Sequence, residues 1–153
     1  ALRSPDGQLA LIAAARKEHP SLLVSTSAMG DGTVAPAVAR ASDFLLVHFN
    51  GTPTIRFGDR IDALRRHGKP IVCNEDQKTG RAGAAALEAC VAHGASWGYM
   101  NEAVNQRHPF AFRGADDDPE VYAAFRRLSA PPVRSPVSGP PAGYGNGRSQ
   151  RVR

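Results

Sequence analysis

Short apolar runs recur along this chain at intervals that leave room for one helix between each pair. They read Leu22 to Ser27, Phe44 to Phe49, Pro70 to Asn74 and Ser96 to Met100, with starts roughly 22 to 26 residues apart. Strands joined through helices in strict alternation form a parallel sheet. Each run is nearly continuous in apolar residues, the pattern of strands covered on both faces. The segments between them carry helical stripes. Leu9, Ile12 and Ala13 mark a helix from about Gln8 to Glu18, capped by Asp6 and ended by His19-Pro20. A short helix is expected from Pro36 to Arg40. Phe57, Ile61 and Leu64 mark the next, closed by Gly68, and Leu87, Cys90 and Val91 another, ended by Gly94. Val121, Phe125 and Leu128 mark the last, with Asp118 as cap and Pro119 at its first position.

Two architectures accommodate four such units. One is a small doubly wound α/β sheet; the other is half of a TIM (β/α)8 barrel, whose full form takes about 250 residues. Loop placement favours the barrel. The segments after the runs are long and polar (residues 28–36, 50–54, 76–83 and 101–118), whereas those before them are tight turns such as His67-Gly68-Lys69 and His93-Gly94-Ala95. Long loops at strand exits are the working face of a barrel. The expected organisation is a half-barrel domain over residues 1–128 and a tail over residues 129–153.

That tail separates charge from fold. The net charge of +5 points to nucleic acid until it is located. From Ser129 onward there are four arginines (Arg134, Arg148, Arg151, Arg153) and no acids, so the body is close to neutral. The tail is rich in Pro, Gly and Ser and is expected to be disordered; a nucleic-acid partner is not expected. No apolar run approaches the roughly 20 residues that cross a bilayer, so no membrane partner is expected. Cys73 and Cys90 both lie in apolar surroundings and read as buried free thiols, and no Cys/His spacing matches a zinc site. No metal or cofactor is expected. The chain starts at Ala1 with no secretion signal, so its compartment is open; a signal further upstream would make it secreted or periplasmic.

Chemistry concentrates at Lys69-Pro70-Ile71-Val72-Cys73-Asn74-Glu75-Asp76, where a β-branched run exits directly into an acid pair. The carboxyl ends of parallel strands are where α/β proteins place their function. Glu75 is the candidate working carboxylate there, with a solvated loop acid as the alternative. Asp76 alternates to the other side and is expected to support a loop, and Lys78 and Arg81 to be solvated. Asp116, Asp117 and Asp118 read as helix-capping acids.

Ser25-Thr26-Ser27, His48-Phe49-Asn50-Gly51, Cys73-Asn74-Glu75-Asp76 and Ser96-Trp97-Gly98-Tyr99 follow one another at successive strand exits. In that order they resemble the carboxyl-terminal half of a clan A, cellulase-like glycoside hydrolase with a TIM barrel, over about Ser4 to Leu128. The resemblance implies a retaining hydrolase of O-glycosidic bonds in a glycan. It implies Glu75 as the nucleophile at the end of the seventh strand and Trp97 as the floor of the sugar site at the end of the eighth. Ser27, His48 and Asn50 match the polar groups at the ends of strands five and six. The family's acid/base glutamate belongs to strand four, which this stretch does not contain. A carbohydrate-binding or scaffold domain derived from such a barrel is therefore the alternative. A half barrel also leaves its edge strands, Leu22 to Ser27 and Ser96 to Met100, without partners. The expected partners are thus a carbohydrate substrate and either the amino-terminal half barrel or a second copy.

Each residue also has an ordinary structural alternative. Asn74 is a donor to Glu75 or a turn residue, and His48 a donor or a core histidine. Trp97 is a stacking platform or a core aromatic, and Tyr99, two residues on and sharing its strand face, a site residue or interior filler.

Overall fold

A computed structural model describes residues 4–27 and 30–130. Helix α1 spans Pro5–Glu18 and α2 Pro36–Ala41. Strand β1 (Leu45–His48) leads through a 3-10 turn (Thr54–Arg56) into α3 (Phe57–Arg65). Strand β2 (Ile71–Glu75) is followed by α4 (Gly80–Ala92), and β3 (Ala95–Ser96) by the short α5 (Glu102–Asn105), a 3-10 turn (Gly114–Asp117) and α6 (Pro119–Ser129). The described strands form one parallel sheet in the order β1-β2-β3. Residues 131–153, most of the expected disordered tail, lie outside the described residues.

The chemistry of the chain explains most element ends. Ser4 rather than Asp6 caps α1: its hydroxyl accepts from the Gly7 N–H at 3.1 Å, and Pro5 takes the first helical position. The helix therefore starts three residues before the expected Gln8, while Asp6 sits in the first turn, where the helix dipole favours an acid. Asp118 caps α6 as expected, accepting from the Val121 N–H at 3.1 Å. Gly68 and Gly94 follow α3 and α4 at φ 63° and 73°, the left-handed conformation that closes a helix.

The sheet has one closed face. Leu45, Val47, Phe49, Ile71, Cys73, Ala95 and Trp97 point to it and pack against Phe57, Ile61 and Leu64 of α3, Ala86, Leu87 and Cys90 of α4, and Val121 and Ala124 of α6. Large side chains buried to this extent contribute about 1.5–3 kcal/mol each. Gly83 lets α6 approach, since a Cβ there would lie 2.6 Å from both the Lys78 carbonyl oxygen and Val121. On the other face Leu46, His48 and Val72 are only half-buried, and Asn74 and Ser96 are exposed.

Two expected strands need correction. Leu22 to Ser27 is extended but is not a strand. The Val24 N–H is taken by the Asp43 carboxylate at 2.7 Å, the Ser25 hydroxyl donates to the Phe44 carbonyl at 2.7 Å, and one backbone bond, Asp43 N–H to the Val24 carbonyl at 2.9 Å, joins the segment to the residues just before β1. Side chains thus occupy the places of ladder bonds, and Leu22 and Leu23 stay exposed. The run Ser96 to Met100 is also cut short, to Ala95–Ser96. Its extension past Trp97 meets the sheet again only at a bridge between Asp76 and Tyr99. Three parallel strands therefore replace the expected four among the described residues.

Candidate functional site

The site begins with an irregularity in β2. Leu45, Leu46 and Val47 pair with Ile71, Val72 and Cys73 in step, but His48 pairs with Glu75, so Asn74 is the extra residue of a bulge. A bulge re-aims the side chains that follow it. Here it leaves Asn74 exposed and Glu75 on the open face, then returns Asp76 to the closed one. Two consecutive carboxylates thereby enter opposite environments.

Glu75 stands at the carboxyl end of β2, its side chain 40% exposed, with one carboxylate oxygen 3.4 Å from His48 Nδ1 at the end of β1. The other ring nitrogen of His48 is buried and, among the described residues, has no hydrogen-bond partner, and the same holds for Thr26 Oγ1 and Asn50 Oδ1 in the neighbouring segments. The backbone holds these segments together. The Phe49 N–H donates to the Glu75 carbonyl at 3.0 Å, Gly32 N–H to the His48 carbonyl at 3.0 Å, and Gly51 N–H to the Gly30 carbonyl at 2.8 Å. Ser27 contributes its carbonyl, which accepts from Gln8 at 2.9 Å.

Asp76 is fully buried. Its carboxylate accepts from the Trp97 indole N–H at 2.9 Å and pairs with Lys78 Nζ at 2.9 Å. Lys78 is only 18% exposed; its ammonium also donates to the Phe49 carbonyl at 3.0 Å and lies 4.9 Å from the centre of the Phe57 ring. This corrects the expectation of a solvated Lys78: an acid removed from water requires a cation, and the lysine arm folds in to supply it. Arg81 is exposed as expected and pairs with Glu120 at 3.1 Å.

Trp97 lies on the closed face, 5% exposed, between Tyr99 and Phe125 at 5.9 Å from each. The structure thus brings His48 and Glu75 together but sets Trp97 on the other side of the sheet, with its N–H committed to Asp76. Tyr99 shares the face of Trp97. Its hydroxyl donates to Asp118 at 3.0 Å and accepts from Asn101 at 2.9 Å. Burial is the main cause pushing the Tyr99 hydroxyl above its ordinary range, and the neighbouring Asp118 adds to it. Asp118 also accepts from the Gly80 N–H at 2.7 Å and so ties the start of α4 to the start of α6.

Cys73 and Cys90 are free and buried. Burial pushes the Cys73 thiol up to about 11 and raises Cys90 as well. Among the described residues, no group of three or more His, Cys, Asp or Glu side chains could hold a metal ion, and no helix is long and apolar enough to cross a membrane.

Sequence reasoning missed a second feature at the same end of the sheet. The exits of β2 and β3 enclose an open cleft of about 570 Å³ lined by Gln77, Thr79, Asn101, Glu102, Ala103 and Arg107. These residues come from the β2 exit loop, the short α5 and its flanks, with no periodicity, and the cluster of amides and hydroxyls in them was the one available signal. Compared with family models, with curated proteins and with solved structures, the chain matches none.

Proposed function

We propose that the chain forms the carboxyl-terminal part of a cellulase-like, retaining glycoside hydrolase barrel, with Glu75 as the carboxylate that attacks the sugar. The observation that carries this reading is the position of Glu75: exposed at a parallel-strand exit, on the open face, beside His48. The sequential order β1-β2-β3 fits an arc of a barrel, as it also fits one half of a doubly wound sheet. Crossovers between parallel strands are right-handed, so sequential strands put every connecting helix on one face and leave the other inward-facing, as in a barrel arc.

The chemistry follows from the geometry. Glycoside cleavage passes through a state with positive charge at the anomeric carbon. An ionised Glu75 attacks that carbon, a glycosyl ester forms, and the bond to the leaving oxygen breaks with its electron pair. His48, 3.4 Å away, orients the carboxylate. The partnerless polar atoms of His48, Thr26 and Asn50 support a polar ligand at this rim, because burying such atoms unpaired costs about 1–3 kcal/mol each. Trp97 contributes from behind, by fixing Asp76 and with it the bulge, rather than as a sugar platform.

A retaining mechanism needs a second carboxyl group roughly 5 Å from the first. Among the described residues Glu75 is the one carboxylate within ion-pair distance of His48. The proposed chemistry is therefore best read with dinitrophenyl β-glycosides, whose leaving group departs without a proton. Release of dinitrophenolate should fall by several orders of magnitude in Glu75→Gln. A loss of only a few-fold would remove Glu75 from the nucleophile's role. The second reading, a carbohydrate-binding scaffold, is favoured by that same isolation of Glu75, and predicts glycan binding with no phenolate release.

A further inference from the structure

The loop leaving β3 presents an unusual surface. Phe110 and Phe112 are 53% and 64% exposed. They follow His108 at two-residue steps, and the three rings form a continuous strip, 5.9 Å from His108 to Phe110 and 5.8 Å from Phe110 to Phe112. The strip folds back on α5 through a bond from the Ala111 N–H to the Val104 carbonyl at 3.3 Å. This sets it beside the cleft, which Ala103 of α5 and Arg107, one residue before the strip, both line.

We infer that the Phe110–Phe112 strip and the adjoining cleft form a binding subsite for a neutral glycan chain. The inference extends the glycoside-hydrolase reading to the loop after β3 and rests on it for the ligand class. Three observations select the ligand. A cleft of about 570 Å³ falls in the range of small-ligand sites. Among the described residues the two flanking arginines are already paired, Arg107 with Glu102 and Arg113 with Asp117, so neither stands free to hold a polyanion. And the cleft offers free polar groups: among the described residues neither the Gln77 amide nor the Thr79 hydroxyl has a side-chain hydrogen bond, although Thr79 caps α4. Aromatic faces beside unclaimed amides and hydroxyls match a pyranose, which has apolar C–H faces and a polar equator.

Affinity electrophoresis of the full chain through gels containing hydroxyethylcellulose, mixed-linkage β-glucan, xylan or glucomannan tests this. At least one polysaccharide should retard the wild type, and Phe110→Ala with Phe112→Ala should weaken that binding about tenfold. Because both rings are exposed, the pair of substitutions should leave the urea midpoint in place. A Phe110→Trp, Phe112→Trp pair should keep binding, and a leucine pair should lose it. The inference is overturned if no polysaccharide retards the wild type, or if the leucine pair binds as well as the wild type. It is also overturned if the alanine pair turns a dimer into a monomer in sedimentation without changing retardation. Phenolate release without retardation removes the subsite and leaves the role of Glu75 intact. Retardation that persists in Glu75→Gln, in a chain that releases no phenolate, removes the catalytic reading and keeps the subsite.

Discussion

Glu75 and Asp76 are neighbours of the same chemical type, yet the fold treats them as opposites. Glu75 faces the open side of the sheet and meets one histidine edge at 3.4 Å; Asp76 is sealed on the closed side with an indole N–H and an ammonium. Alternation sets them on opposite faces, and a single bulge at Asn74 decides which of them meets the closed one. The comparison teaches that a parallel sheet can make a structural acid and a working acid from adjacent positions. A sealed carboxylate, its oxygens turned to buried donors, is out of a substrate's reach, whereas an exposed one with a single oriented neighbour is within it.

The contrast is sharpest in stability. Asp76→Ala leaves Lys78 and the Trp97 N–H buried without their acceptor, and breaking a buried pair from one side costs about 3–5 kcal/mol. Urea unfolding should show that loss, while Glu75→Gln should shift stability by no more than about 0.5 kcal/mol. Equal losses would erase the distinction. Gly98→Ala attacks the same junction from β3: its Cβ would lie 2.6 Å from the Asn74 carbonyl oxygen, an overlap expected to cost about 1–3 kcal/mol and to disturb the bulge. Trp97→Phe keeps an aromatic ring but removes one donor to Asp76 and some buried volume, for an expected loss of about 1–3 kcal/mol. A Trp97→Phe variant as stable as the wild type would show that Lys78 alone satisfies Asp76.

The closed face can also be read chemically. With the Cys73 thiol pushed up to about 11 by burial, and Cys90 raised too, both should resist iodoacetamide at pH 8 in the folded chain and react at once in urea. Rapid native labelling would mean that the closed face opens. The smallest effect belongs to the segment beside β1. Asp43 is held below the ordinary carboxylate range, first by the Val24 N–H and then by Arg16. Since its folded value is depressed, its contribution is present above the unfolded value, about 3.9, and is lost as pH falls through the folded one. The protection factor of the Val24 amide, its exchange rate taken relative to an unstructured amide at the same pH, should therefore fall only in acid, and in Asp43→Asn should be low at every pH.

Most of the helical frame was legible in the sequence, because helices announce themselves locally. Phe57, Ile61 and Leu64 repeat at helical spacing, and Asp118-Pro119 marks a start. Strands are less local. Leu22 to Val24 reads as well as Leu45 to Val47, but only the second finds a ladder, because Asp43 intercepts the Val24 N–H. The opposite facing of Glu75 and Asp76 was legible from alternation, and so was the shared face of Trp97 and Tyr99. Which face would be closed was not, since that depends on where α3, α4 and α6 come to lie. Lys78 misled for the same reason: a lysine in a polar loop looks solvated until the buried acid two residues earlier is known.

The assignment of work to Glu75 and support to Asp76 is tested most directly by trapping. The full chain is incubated with dinitrophenyl 2-deoxy-2-fluoro-β-glycosides, and its peptides are mapped by mass spectrometry. The account predicts one fluoroglycosyl ester on the peptide containing Glu75, located at that residue by fragmentation and absent from Glu75→Gln. An ester on Asp76, or one that persists in Glu75→Gln, would contradict it.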